Sequence, residues 1–242
     1  MKILVVVRSI FLLVLHLVIT PIFAVIAFVT FGFSALVRYR VISSWSHLTI
    51  AMARIICGIR YQIKGLDNLP SKPCIVLSKH QSAWETLAFQ VIFPPQVWVL
   101  KRELLRIPFF GWGLAMLNPI AIDRGSGVGA LNQILEQGKD RLGRGFWVVV
   151  FPEGTRIPPG STGKYQIGGA WLAAGSGTPV IPVAHNAGEL WPKNSFLKYP
   201  GLVTVSIGKP IDPIGLSAQE LNQRVESWIE NEMQTLPAAI GA

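Results

Sequence analysis

Two periodicities of apolar and polar positions divide the chain. Residues 9–37 form an apolar run of 29 positions without Asp, Glu, Lys or Arg, longer than the ~20 residues of a membrane-spanning helix. Pro21 interrupts this run, and a proline ends or kinks a helix. The pattern therefore predicts two halves, 9–20 and 22–37, each too short at ~1.5 Å per residue to cross ~30 Å of hydrocarbon. An amphipathic helix is predicted over 42–57, with Trp45, Leu48, Met52, Ile55 and Ile56 on one face. Packing on a soluble domain and lying at a membrane interface are both open to it.

After Gly58 the apolar runs shorten and alternate with helical stripes. Segments 61–64, 74–78, 97–100, 120–122, 147–151, 180–184 and 203–207 read as strands. Segments 84–92, 128–144, 165–175 and 218–236 read as helices. The last is bounded by a Ser217/Glu220 capping-box pair and by Pro237, with Leu221, Val225, Trp228, Ile229 and Met233 as its stripe. Pro182 restricts its strand to an edge or a bulge. Strand–helix alternation predicts an α/β layered sheet flanked by helices over 59–242, preceded by an N-terminal apolar helical membrane-anchoring hairpin within 1–58.

Composition sharpens this picture. At 50% hydrophobic residues the chain is too apolar for disorder, and two cysteines, Cys57 and Cys74, exclude a disulfide framework. Lys and Arg exceed Asp and Glu by 22 to 13. Seven of the cations, Lys2, Arg8, Arg38, Arg40, Arg54, Arg60 and Lys64, precede the first acid, Asp67. This basic excess coincides with the most apolar stretch, so a membrane surface accounts for it better than nucleic acid does. The run far exceeds the 7–15-residue core of a cleaved signal peptide. Cations flank it on both sides, which predicts both ends on the cytoplasmic face of the inner or an equivalent membrane, re-entrant rather than spanning; one span is the alternative. His16, inside the run, reads as packed or near the headgroups.

Four segments carry candidate chemistry. In SKHQSAWETL (78–87), His80 follows a strand and Glu85 lies in the first turn of the next helix. A carboxylate there can reach back to one ring nitrogen and leave the other as a base. Alternatively, Ser82 and Glu85 form a capping box that serves only the helix end. In FPEGTR (151–156), Arg156 leaves a strand at the sheet edge where α/β ligands bind, and an arginine there can clamp a phosphate. A Glu153–Arg156 pair that merely braces the loop is the plainer reading. In KRELLRIPFFGWGL (101–114), Lys101, Arg102 and Arg106 stand beside an aromatic, glycine-containing turn. This suits an anionic amphiphile or a solvated basic loop. VIPVAHN (180–186) reads as structural packing, with His185 just past the strand end.

Together these segments resemble, in order, the four blocks of the glycerolipid acyltransferase family that contains the 1-acyl-sn-glycerol-3-phosphate acyltransferases. His80-Gln-Ser-Ala-Trp-Glu85 matches H-x4-D with Glu for Asp. Lys101, Phe109-Phe110-Gly111 and Ile122-Asp123-Arg124 match the second block, FPEGTR the third and Val180-Ile181-Pro182-Val183-Ala184 the fourth. The resemblance implies transfer of a fatty acyl group from acyl-CoA or acyl-carrier protein to the sn-2 hydroxyl of lysophosphatidic acid. His80 would be the general base and Glu85 would hold its imidazole. Lys101, Arg102, Glu153, Gly154, Thr155 and Arg156 would serve the substrates, Arg156 by gripping the acceptor phosphate and Lys101 by approaching the thioester carbonyl. It implies no metal and no redox cofactor. Other acceptors, such as glycerol 3-phosphate or another lysolipid, and a non-catalytic lipid-binding protein are the alternatives.

Rival enzyme classes lack their signatures. Gly125-x-Gly127-x-x-Ala130 has no ribose-binding acid ~20 residues on, no G-x-S-x-G occurs, and Gly163-Lys164 is followed by Tyr165 rather than Ser or Thr.

Overall fold

Strands β2 (Ile75–Ser78) and β5 (Trp147–Val150) are buried at every position, as strands covered on both faces must be. The structure, a computed structural model, describes residues 2–240. Met1, at the head of the predicted N-terminal unit, and residues 241–242, at the end of the predicted α/β unit, lie outside the described residues. Around these two strands the chain runs β1 (Ile59–Lys64), β2, α3 (Trp84–Ile92), β3 (Gln96–Lys101), α4 (Phe110–Ala115), β4 (Ile120–Ile122), α5 (Val128–Gly143) and β5. It continues through α6 (Gly168–Ser176), β6 (Val180–His185), α7 (Ala187–Leu190), β7 (Gly201–Ile207) and α8 (Ala218–Thr235). The strands form one mixed sheet in the order β1-β7-β6-β2-β5-β3-β4. Five strands from β6 to β4 are parallel, and β7 joins β6 antiparallel while pairing parallel with β1. The carboxyl ends of β6, β2 and β5 thus open side by side on one edge.

All seven expected strands form, and the capping box at Ser217 and Glu220 is complete. Pro182 is a correction: β6 lies inside the sheet, between β7 and β2. The missing N–H is tolerated because the β6–β7 ladder begins only at Val183, and the Pro182 carbonyl still accepts from Gly208 N at 2.9 Å. His185 is the last residue of β6 rather than a residue beyond it. Segment 101–114 is not a plain turn: a 3-10 turn at Arg102–Arg106 leads into α4.

The N-terminal helices depart further from expectation. Helix α1 (Lys2–Val29) runs straight through Pro21, and the chain reverses at 30–34 before α2 (Ala35–Cys57). Inside a helix, proline removes a single donor, the one owed to the Leu17 carbonyl, and here the apolar run continues on both sides. The reversal instead follows local capping: Ser34 accepts from Val37 N, and Gly58, with φ 72°, closes α2. The predicted face of α2 is split, with Trp45, Met52 and Ile56 packed half-buried against the core. Leu48 and Ile55 are exposed, whereas Ile42, Ser43, Ser46, Thr49, Ile50 and Ala53 are buried. Small residues line that face because they let helices approach closely.

Candidate active site

The site grows from the loop that leaves β2. His80 is the second residue past the strand, and α3 begins four residues later with Glu85 in its first turn. Glu85 is fully buried, and its Oε1 is 2.8 Å from His80 Nδ1 while accepting the Gln81 and Ser82 amides at 3.0 and 2.8 Å. Burial pushes the Glu85 carboxyl up, but His185, His80 and the Ser82 amide outweigh it and hold the carboxyl below its ordinary value. An ionised carboxylate can only accept, so the Nδ1 proton belongs to His80, and in the neutral form of the ring the lone pair then lies on Nε2. The reciprocal half of a capping box is absent, since the Ser82 hydroxyl takes the Trp84 N–H rather than that of Glu85. Glu85 therefore closes the helix end and orients the imidazole with one oxygen.

The FPEGTR segment leaves the neighbouring strand β5 and wraps the same loop. Phe151 stacks on the His80 ring, with centroids 4.1 Å apart and planes 15° from parallel. Glu153 is buried beneath the loop, where it accepts the His80 N–H at 2.8 Å and pairs with Lys79 at 2.7 Å. The expected Glu153–Arg156 brace is therefore replaced by a Glu153–Lys79 pair. The His80 carbonyl accepts Ile157 N at 2.7 Å. From the other side, His185 is fully buried and its Nε2 lies 2.9 Å from the Lys79 carbonyl. Burial lowers its pKa against the pull of Glu85, and the buried ring braces the loop from below, in keeping with the packing reading.

Above this loop opens a cavity of about 340 Å³, within the ~300–1,000 Å³ of ligand pockets. His80, Lys101, Arg124, Gly154 and Arg156 stand together in its wall; Phe23, Trp45, Leu87, Trp98, Leu114 and Leu117 belong to a predominantly apolar remainder contributed by α1, α2, α3, β3 and the α4 segment. Gly154 takes φ 67°, and the Arg124 guanidinium donates to its carbonyl. Of the candidate substrate residues, Lys101, Gly154 and Arg156 thus meet at the cavity with His80. Three do not. Glu153 lies under the loop, Arg102 points to Gln133 Oε1 at 3.4 Å, and Thr155 is exposed with its hydroxyl toward Lys193 Nζ at 3.4 Å. Arg124 is a wall residue without a role in the sequence reading, although Ile122-Asp123-Arg124 stood among the quoted blocks.

A family model described as Acyltransferase matches residues 60–186. A 1-acyl-sn-glycerol-3-phosphate acyltransferase of Pseudomonas aeruginosa is 51% identical over 200 residues, covering 81% of this chain and 78% of the relative. The 1-acyl-sn-glycerol-3-phosphate acyltransferase alpha of Mus musculus is 28% identical over 193 residues, covering 78% and 67%. The crystal structure of the 1-acyl-sn-glycerophosphate acyltransferase PlsC from Thermotoga maritima superposes with a TM-score of 0.81 over 100% of this chain and 99% of that one. At 24% identity this last likeness speaks for the fold.

Proposed function

The chain belongs to the Acyltransferase family, and from that premise we propose that it moves a fatty acyl group from acyl-CoA or acyl-carrier protein to the sn-2 hydroxyl of lysophosphatidic acid, giving phosphatidic acid. The observation that carries this reading is the buried, ionised Glu85 behind His80 at a cavity shared by Arg156 and apolar walls. His80 Nε2 takes the proton of the acceptor hydroxyl as its oxygen bonds the thioester carbonyl carbon. The imidazolium so formed is paired with Glu85, and the carbonyl oxygen gains the negative charge. On collapse the C–S bond breaks and His80 returns the proton to the leaving thiolate. Lys101, at the end of β3, is the cation we assign to the developing oxyanion. The apolar walls suit an alkyl chain and exclude water from the thioester.

Arg156 is assigned to the acceptor phosphate. Its side chain is half-buried in the cavity wall, and no hydrogen bond or ion pair to its guanidinium occurs among the described residues. Arg156→Ala is expected to raise the Michaelis constant for lysophosphatidic acid about 10–100-fold, the worth of a hydrogen bond to a charged group. The donor constant should stay nearly unchanged. Steady-state kinetics with each substrate varied in turn check this, and equal effects on both would mean that Arg156 only braces the loop.

For the membrane we propose that α1 lies in the cytoplasmic interface without crossing it. Length and composition would allow a span, because 28 residues at ~1.5 Å each reach about 42 Å. One face of α1, however, is docked. Ser9 accepts from Lys198 N at 2.9 Å, His16 meets the rings of Trp45 and Trp191, and Ala24 and Ala27 are buried. Contacts with Lys198, Trp191 and Trp112 along its length support a helix lying on the α/β domain rather than standing across a bilayer away from it. The opposite face, with Ile3, Val7, Phe11, Val14, Val18, Val25 and Phe28, is exposed, as in an interfacial helix sunk ~5–10 Å into the headgroup boundary. Single cysteines introduced at Lys2 and Gly32 should react with an impermeant maleimide from the same side of sealed vesicles. Labelling from opposite sides would make α1 a span.

A further inference from the structure

Lys79 is almost fully buried, at 1% exposure, and lysine is rarely buried unless its ammonium is paired. Its Nζ meets oxygens from three separate segments: Glu153 Oε1 at 2.7 Å, Glu230 Oε1 on α8 at 2.8 Å and the Ser161 carbonyl at 3.2 Å. Ser161 and Glu230 accept hydrogen bonds from the ammonium, and Glu153 Oε1 faces it as an ion-pair contact. The second oxygen of Glu153 holds the His80 N–H, so one carboxylate grips the side chain of residue 79 and the main chain of residue 80. Glu230 is fixed in its turn by the Tyr165 hydroxyl at 2.8 Å and the Thr162 hydroxyl at 3.1 Å. None of Lys79, Glu153 and Glu230 lines the cavity.

Such a cluster is an expensive way to fasten a C-terminal helix. Burial pushes the Glu153 carboxyl up against the pull of Lys79 and the His80 N–H, and well-packed apolar residues would fasten α8 as well or better. What the ion chain supplies instead is a fixed place for the His80 main chain. We infer that Lys79 and Glu230 are positioning residues for acyl transfer, the chain Glu230–Lys79–Glu153 setting the main chain of His80 so that its imidazole meets the substrate hydroxyl. Glu85 and Phe151 fix the ring in orientation, and Ile157 N fixes the carbonyl of the same residue. Among the described residues Glu153 is the acceptor of the His80 N–H and Lys79 the cation paired with Glu153, while Glu230 on α8 holds Lys79 in turn. The inference rests on the reading of His80 as the base.

The test uses the full chain in detergent with lysophosphatidic acid and palmitoyl-CoA, comparing Lys79→Met, Lys79→Arg, Glu230→Gln and the double variant Lys79→Met/Glu230→Gln. Thermal melts establish the folded fraction to which kcat is referred. Lys79→Met should lower kcat about 100-fold, the cost of a displacement near 1 Å in a reacting geometry. Both Michaelis constants should remain within about 2-fold, since none of these side chains lines the cavity. Lys79→Arg, which keeps the charge, should recover most of the loss. Glu230→Gln should lower kcat about 5–10-fold alone and nothing further in the Lys79→Met background, because it acts through Lys79. Wild-type kcat in folded Lys79→Met, or losses from the two sites that simply add, would overturn the inference. Should Lys79→Met fail to fold, Glu230→Gln decides at a side chain 21% exposed: a lower kcat at unchanged Michaelis constants supports positioning, and a lower melting temperature at wild-type kcat refutes it. Failure of the base reading is separate, since it shows as retained turnover in His80→Ala.

Discussion

His80→Ala is expected to lower the turnover of acyl transfer at least about 10³-fold while leaving a folded protein. General acid–base catalysis by a placed side chain contributes 10²–10⁴-fold, and here the same imidazole takes the proton from the acceptor and returns it to the thiolate. The fold should survive because the ring is not part of the buried core. Its side chain keeps 14% of its surface exposed, and its contacts are the Phe151 stack and one bond to Glu85, which retains two amide donors. The stability lost should be about 1–2 kcal/mol, typical of a single substitution. Turnover by purified His80→Ala in detergent, beside a thermal melt, checks both statements. A variant keeping a tenth of the wild-type rate would show that another group is the base.

Glu85→Gln should come next in severity, with kcat down about 10²–10³-fold, within the range of a lost acid–base contribution. The amide oxygen can still receive the loop N–H groups, so the helix end stays capped. What disappears is the negative charge that fixes the Nδ1 proton and stabilises the imidazolium once Nε2 has been protonated. A carboxamide can also turn its NH2 toward Nδ1, which stabilises the tautomer that cannot act as base. Glu85→Asp keeps the charge on a shorter stem and should be milder, in line with the aspartate of the family block. Kinetics of the two variants side by side separate charge from geometry. A fully active Glu85→Gln with a lowered melting temperature would reduce Glu85 to a helix cap.

The strands of the α/β sheet were legible because each is a short aliphatic run between turn residues, and α8 because its stripe is bounded by Ser217, Glu220 and Pro237. Pro21 misled because the same residue reads as a break in sequence, whereas one continuous helix carries it once α2 and α4 pack along α1. Ser34, the N-cap that fixes the reversal, was the available signal. The face of α2 misled for another reason: interhelical closeness selects small residues, so Ser43, Ser46 and Thr49 lie inside while Leu48 and Ile55 lie outside.

In the site, residue type and spacing raised His80, Glu85 and Arg156 as candidates beside the capping and bracing alternatives, and the family resemblance chose between them. Glu153 was readable as a site residue but not as one facing away from the cavity, since a carboxylate in a turn gives no sign of the lysine that it meets. Glu230 was invisible: it lies among the polar positions of an amphipathic helix, and its partners are 65 or more residues distant in sequence. The apolar walls from α1 and α2 were equally unreadable, because a run long enough to span a bilayer carries no mark of the face that lines a cavity.

The central claim is acyl transfer to lysophosphatidic acid, and the most direct test offers the purified full chain a labelled acyl-CoA, and separately a labelled acyl-carrier protein, against a panel of acceptors. The panel holds lysophosphatidic acid, glycerol 3-phosphate and lysophospholipids with other headgroups. Labelled phosphatidic acid should form from lysophosphatidic acid with at least one donor, and far faster than any other acylated product. Label moving only to another acceptor, or to none with either donor, would contradict the account.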